Sequence, residues 1–587
     1  MVRKTLWLFV SCLMVLSLVI ASCGGGEDGE KEKPDDGDKE VVDTFDEAIY
    51  DGTFNRIGLG SGYSNIDYAA GRTMFTPFAM GEELLGGDWA RGPAGTGENE
   101  WTGGFAGFID WLTGKLAESW SMPDNETLLY NLRHDVKWWN KPPANGRGLV
   151  AEDIVWNLER IFSTELSYLR NTYTVIDKSP TGFKALDDYT VEVKVHPEWQ
   201  GLMATVVGDF AWHLYPGVDM GDDDILDADE WQNFIGTGAF MMTNWVTESY
   251  IVYERNPDWY MTDPVLKGNK LPYCAGAKET IIPDKSTQLA AFRTGQVDMM
   301  SWGVNLEDVQ QLTAAEPRLM FGNWPAASIS HIWPRLDKGL PWDDINVRIA
   351  ANLAVNQPEL VEDYYGGYAD ILGWPYPNLK VFEPVYTPLE QQSQLVQDCF
   401  GYDLERAKTL LAEAGYPDGF KCKLTCNANQ ADFLAIIVEY LSKVGIEMEL
   451  EVLEGTAHFS TWINRTYDEM FYANDYVGNA YRMMCMVSTS LYNYSFFEHP
   501  RTEAAVQQIS EALGKDDAAV ARVMKEIGPF ELDQVVPIYM PSPHRYVIWW
   551  PWLQNFYGAT EGGGYSNLDE YLGYIWIDEG LKQEMGY

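Results

Sequence analysis

Seven cysteines and seven histidines are the side chains from which covalent or metal chemistry could be built. Cys422 and Cys426 have a spacing that could hold a metal. However, Phe420, Cys422, Leu424 and Cys426 alternate with Lys421, Lys423 and Thr425. That alternation puts both thiols on the apolar face of a strand, and core packing is the favoured reading. His134, His196, His213, His331, His458, His499 and His544 form no ligand-spaced pair, so no metal site is expected. There is no P-loop, no H-E-x-x-H and no G-x-S-x-G. Gly58-Leu59-Gly60-Ser61-Gly62 lacks the spacing of a dinucleotide loop and reads as a turn. With no nucleophile–base pair and no cofactor motif in view, neither enzymatic activity nor a cofactor is expected.

The remaining reactive residue is Cys23. Arg3 and Lys4 precede an apolar run, Thr5 to Ile20, of about 16 residues, shorter than a bilayer-spanning helix of roughly 20. The run ends Ile20-Ala21-Ser22-Cys23, followed by three glycines. That ending matches a bacterial lipobox, in which the cysteine carries lipid and becomes the first mature residue. Residues 1–22 are therefore expected to be a lipoprotein signal peptide; the alternative is ordinary secretion with Cys23 free. Residues 23–44 are Gly, Pro, Asp, Glu and Lys with few apolar side chains. Such a segment cannot offset its ordering entropy, so a disordered acidic tether is expected. Several acyl chains, each contributing about 0.8 kcal/mol per buried CH₂, would anchor the body at the extracytoplasmic face of the cell membrane, in a periplasm or at the cell surface. Cys274, Cys399, Cys422, Cys426 and Cys485 are then left, allowing at most two disulfides of undetermined pairing.

The elements that must carry any site belong to a long, acidic chain. Its 587 residues carry 42 Lys plus Arg against 87 Asp plus Glu, a net charge of −45. Such a charge repels a phosphate backbone, so no nucleic-acid partner is expected. An apolar content of 46% and 23 Trp, 33 Tyr and 24 Phe supply ample core. Asp403 can cap a helix with Ala407, Leu410, Leu411 and Ala414 on its apolar face, ended by Gly415 and Pro417. Strand 420–426, helix 431–444 and an alternating strand Ile446-Met448-Leu450-Val452 follow, a unit best satisfied by a right-handed parallel crossover. A second α/β unit runs through strand Thr280-Ile281-Ile282, a helix from Asp284 to Thr294, and strand Val297 to Met300. Helix 152–162 gathers Ile154, Val155, Leu158, Ile161 and Phe162 on one face. Strands alternating with helices indicate α/β domains. Trp138-Trp139 and Trp549-Trp550-x-Trp552 read as core or interface packing, with sugar stacking as the alternative.

Several segments together carry a family resemblance. Leu116-Ala117-Glu118-Ser119-Trp120 leads to Tyr130-Asn131-Leu132-Arg133-His134-Asp135-Val136-Lys137-Trp138 and then Ala151-Glu152-Asp153-Ile154-Val155-Trp156-Asn157. Gly236-Thr237-Gly238-Ala239-Phe240, Glu254-Arg255-Asn256-Pro257-Asp258-Trp259-Tyr260, Ala291-Phe292-Arg293-Thr294-Gly295-Gln296-Val297-Asp298, Asp344-Ile345-Asn346-Val347-Arg348 and Leu410-Leu411-Ala412-Glu413-Ala414-Gly415-Tyr416-Pro417 follow in order. Over roughly residues 50 to 545 the chain resembles the family 5 extracellular solute-binding proteins, the dipeptide, oligopeptide and nickel receptors of ABC importers.

The resemblance implies a periplasmic-binding-protein-like fold of two α/β lobes joined by a two-strand hinge, with an extra domain inserted in the first lobe. By analogy, domain I comprises 45–75, 232–312 and 545–587, domain II 76–231 and domain III 313–544. A small solute would sit between the lobes and stabilise their closed state. The implied partners are that solute and the permease subunits of an ABC transporter, with the receptor a monomer. Peptide-binding members hold the ligand's α-ammonium with an aspartate in a segment that Phe471-Tyr472-Ala473-Asn474-Asp475-Tyr476 resembles. The resemblance therefore makes Asp475 the ammonium partner and Phe471 to Asn474 a backbone edge for an extended peptide. Tyr472 stands where the family has a Trp. The plain alternative for Asp475 is a turn residue on an outer loop. Gly62 and Tyr63, after the first strand, and Trp302, after Met300, are further candidates for the cleft. A peptide is the expected ligand; an oligosaccharide, or less readily a nickel chelate, is the alternative.

Overall fold

The computed structural model describes residues 49–58, 80–102, 111–164, 167, 169–170, 179–211, 215–220, 231–266, 268–301, 303–326, 328–476, 490–560 and 570–587. The expected signal peptide, the tether, Cys23, Gly62, Tyr63, Trp302 and Cys485 lie outside them.

Strand β1 (Thr53–Ile57) opens the first sheet. The chain next builds an antiparallel sheet from β2 (Ala117–Ser121), β3 (Thr127–Leu132), β4 (Gly182–Asp187) and β5 (Thr190–Lys194), ordered β2-β3-β5-β4. Helix α1 (Ala151–Ser163) buries Ile154, Val155, Leu158, Ile161 and Phe162, the face expected from their spacing, and packs on β4 and β5. Asp153 fixes its start. The buried carboxylate accepts two guanidinium bonds from Arg147 at 2.7 Å and the Trp138 indole N–H at 3.1 Å.

The chain then rejoins the first sheet through β6 (Phe240–Val246), β7 (Tyr250–Arg255), β8 (Gly276–Thr280), helix α2 (Lys285–Arg293), β9 (Met299–Met300), helix α3 (Leu306–Ala315) and β10 (Met320–Pro325). Asp284 caps α2 by accepting the Thr287 N–H at 2.8 Å. The strand before α2 ends at Thr280, ahead of Ile281 and Ile282. Its ladder with β1 and β7 sets its limits, and the apolar run does not.

A further sheet carries the crossover unit. Its parts are β11 (Ser328–Pro334), α4 (Ile345–Ala354), α5 (Leu404–Glu413), β13 (Phe420–Asn427), α6 (Ala431–Ser442), β14 (Ile446–Leu453) and β15 (Met470–Tyr476); β12 (Ala369–Asp370) falls within this stretch. The order is β11-β15-β13-β14, with β13 and β14 parallel from Phe420↔Ile446 to Asn427↔Leu453. Asp403 caps α5, as its position predicts. Cys422 and Cys426 are buried free thiols, and burial pushes the Cys422 thiol up to about 12. Helices α7 (Pro500–Ala512) and α8 (Asp517–Asp533) lead to β16 (Ser542–Trp549), and α9 (Glu579–Glu584) comes last. The first sheet is then ordered β10-β16-β9-β1-β8-β7-β6, with β12 also pairing with β16. Trp138, Trp139, Trp549, Trp550 and Trp552 are all buried.

The chain crosses between the two sheets twice, side by side. Strand β10 continues into β11, and the segment beside β11 continues into β16. Ile332 and Ile538 exchange backbone hydrogen bonds of 3.2 and 2.9 Å, and Ala326 N–H donates to the Pro543 carbonyl at 3.3 Å. The register of β10 with β16, from Met320↔Trp549 to Pro325↔His544, makes these crossings one antiparallel ribbon.

Candidate functional site

Parallel strands expose their carboxyl ends together, and open α/β sheets take ligands beyond those ends. Here β13, β14 and β15 end at Asn427, Leu453 and Tyr476 on one sheet. On the other, β1 and β8 end at Ile57 and Thr280, with β9 parallel to β1 ending at Met300. Phe471 to Tyr476 thus occupy β15 and its carboxyl end. Gly62 and Tyr63 follow β1 in the chain and Trp302 follows β9, but all three lie outside the described residues.

The surroundings of β15 change along its length. Met470 and Phe471 pair with Leu424 and Thr425 on one side and with Pro334 and Trp333 on the other. From Tyr472 to Tyr476, among the described residues, only β11 continues the ladder, with Asn474 opposite Ser330 and Asp475 opposite Ile329. The edge away from β11 over 472–476 is therefore unpaired within the sheet, the arrangement that strand addition uses.

Side chains pack around Phe471 to Asn474 of this segment. Phe471 stacks with His458, at 4.7 Å, and with Tyr494, at 6.0 Å. Tyr472, on the opposite face, is buried beside Phe433 at 6.3 Å. Burial raises its hydroxyl pKa well above the ordinary range, against a smaller opposing effect of the Ser330 hydrogen bond. The Trp333 indole N–H donates to the Ala473 carbonyl at 3.3 Å, and the Tyr494 hydroxyl to the Asn474 carbonyl at 2.9 Å. Asn474 is exposed, and its amide oxygen accepts the Ser330 hydroxyl. The backbone of Asp475 and Tyr476 is placed in β15; their side chains lie outside the described residues.

Ser330, Trp333, His458 and Tyr494 were not anticipated from sequence. Ser330 and Trp333 come from β11, where Ile329, His331, Ile332 and Trp333 are all buried, so no period-2 pattern marks it. The usable signal is an Ile- and Trp-rich run bounded by Pro325 and Pro334.

At the carboxyl edge of the first sheet, the described charge is paired. The Arg56 guanidinium binds Glu279 on the neighbouring strand, with an Nε–Oε1 distance of 2.9 Å, and donates to the Tyr571 hydroxyl at 3.2 Å. Among the described residues no group of three or more His, Cys, Asp or Glu is placed to hold a metal ion. Among them, too, no helix is long and apolar enough to cross a membrane.

Known proteins resemble this chain in sequence and in fold. Residues 112–493 match the family model of the bacterial extracellular solute-binding proteins, family 5 middle. The periplasmic oligopeptide-binding protein OppA of Haemophilus influenzae is 28% identical over 337 residues, covering 54% of this chain and 58% of that protein. OppA of Salmonella typhimurium is 24% identical over 489 residues, covering 77% of this chain and 82% of that one. Among solved structures, the periplasmic binding protein DppA of Helicobacter pylori, in complex with the peptide STSA, matches with a TM-score of 0.68 and 20% identity, covering 90% of this chain and 99% of that one. The oligopeptide-binding protein AppA of Bacillus subtilis, in complex with a nonapeptide, matches with a TM-score of 0.64 and 16% identity, covering 90% and 100%. The mixed α/β architecture of several sheets is the one these binding proteins share.

Proposed function

Since the chain belongs to the bacterial extracellular solute-binding proteins of family 5, we propose that it is the lipid-anchored receptor of an ABC importer, capturing di- or oligopeptide-like solutes between two lobes and delivering them to a membrane permease. The observation that carries the peptide reading is the β15 edge over 472–476, which among the described residues has no strand partner on one side, at the carboxyl end of the parallel strands β13, β14 and β15. An extended peptide laid there gains main-chain hydrogen bonds without its side chains being read. Asp475, on the same segment, supplies a carboxylate for the ligand's ammonium group, a charge-assisted bond strengthened inside a closed cleft. We assign domain I to 45–75, 232–312 and 545–587, domain II to 76–231 and domain III to 313–544. The ribbon of β10 and β16 then serves as the hinge.

An oligosaccharide receptor would need open indole faces. The tryptophans most suggestive of sugar stacking, Trp138, Trp139, Trp549, Trp550 and Trp552, are all buried, so the peptide reading is preferred. The test is mass spectrometry of the solute released on denaturing the purified protein. Peptide masses support the proposal; a sugar or a metal chelate in stoichiometric amount overturns it.

A further inference from the structure

A second seam joins the region around the sheet of β2, β3, β5 and β4 to the lobe built on β11, β13, β14 and β15, apart from the β15 edge. Lys380, exposed at the start of the turn Lys380–Phe382, donates its ammonium to the Gly97 carbonyl. Ser510 on α7 donates its hydroxyl to the Glu198 carbonyl. The backbone of Gly201 approaches the end of α7 so closely that a Cβ there would sit 2.3 Å from the Leu513 carbonyl oxygen and 2.7 Å from the Leu513 Cβ. Trp111 and Trp199 rest, partly buried, on the apolar core formed by residues 329–540.

We propose that this seam is a clasp: a closing surface, separate from the ligand crevice, whose contacts form when the lobes shut and which sets the closed fraction of the receptor. Its composition suits repeated making and breaking. The two hydrogen bonds run from side chains to backbone carbonyls and are exchangeable for water at little net cost. The seam's apolar part is the buried contact of Gly201 with Leu513 together with two partly buried indoles, and inter-domain surfaces that combine such contacts with polar ones permit relative motion. Gly201 is the fitted part, since only a residue without a Cβ allows that approach. Because apparent affinity scales with the competent fraction, Lys380, Ser510 and Gly201 tune ligand binding without touching ligand. The clasp requires that the lobes move, but not that the ligand be a peptide, so failure of the ligand identification leaves it standing.

The test uses the full chain with fluorophores on Lys184→Cys and Glu439→Cys, two exposed positions on the opposed parts, read by single-molecule energy transfer. Two variants are compared with the labelled parent: the pair Lys380→Ala with Ser510→Ala, and Gly201→Ala alone. Gly201 lies in the short helix Gln200–Thr205, and alanine favours a helix more than glycine does, so the second variant adds the blocking Cβ without weakening that helix. Each should lower the closed-to-open ratio about tenfold while the melting temperature stays within a few degrees of the parent. An unchanged distance distribution in both variants overturns the clasp, whether or not melting falls. So does a single distance shared by all three proteins.

Discussion

Lys582, on α9, places its Nζ 3.2 Å from Asp298, a carboxylate with no exposed side-chain surface. The same carboxylate accepts the Trp552 indole N–H at 2.8 Å and the Asn55 backbone N–H at 2.7 Å. Its backbone joins β1 through Asn55 and the end of β16 through Trp550. One acid therefore ties four separate stretches of chain together. Removing a partner from a buried pair leaves an uncompensated charge, which costs more than the pair itself contributes. Asp298→Ala should strip about 3–5 kcal/mol from the unfolding free energy, read by urea denaturation. A loss below about 1 kcal/mol would show that the anchor is dispensable.

Asp475→Ala should weaken binding of the native solute by at least about 2 kcal/mol if the carboxylate pairs with the ligand's ammonium inside the cleft. Isothermal calorimetry with the solute identified by mass spectrometry gives the number. Equal affinity for parent and variant removes Asp475 from the site.

Burial holds the His458 imidazole below its ordinary pKa, so it stays neutral in the fold where the unfolded chain would take up a proton. Below the unfolded value, near 6.5, the unfolded state binds more protons, and stability falls as pH falls. The parent should lose more stability than His458→Phe between pH 7 and pH 5, since the variant keeps an aromatic ring against Phe471 and has nothing to protonate. Parallel melting curves for the two proteins across that interval would exclude His458 as the source.

Cys23→Ser should leave the protein in the aqueous phase on detergent partitioning of expressing cells, because the thiol is the proposed attachment point for lipid. A variant that still partitions with detergent would place the anchor elsewhere.

The parts legible in sequence are those where local signals and burial agree. Asp403, Gly415 and the alternation through Phe420, Cys422 and Leu424 each act within a few residues, and α5, β13, α6 and β14 follow them closely. Where distant chain decides, the pattern misleads. Ile281 and Ile282 look like strand, but the ladder to Ile57 and Tyr250 stops at Thr280. Strand β11 escapes notice because both its faces are covered, and with it Ser330 and Trp333, which position Asn474 and Ala473. Phe471 to Asp475 stood out only through family resemblance; nothing in their spacing distinguishes them from any other buried strand end.

The pairing of β9 between β1 and β16 has a consequence for biogenesis. The first sheet cannot close until Ser542–Trp549 has left the ribosome, and at roughly 5–20 residues per second that lags β1 by tens of seconds. Sheets that depend on such remote strand pairing also form slowly once complete. Throughout that interval β9 lacks one of its two partners, while the sheet of β2 to β5 and the pairing of β1 with β8 need only earlier chain. The late return of one strand therefore leaves the joining of β10 to the rest of the first sheet as the last step in building it.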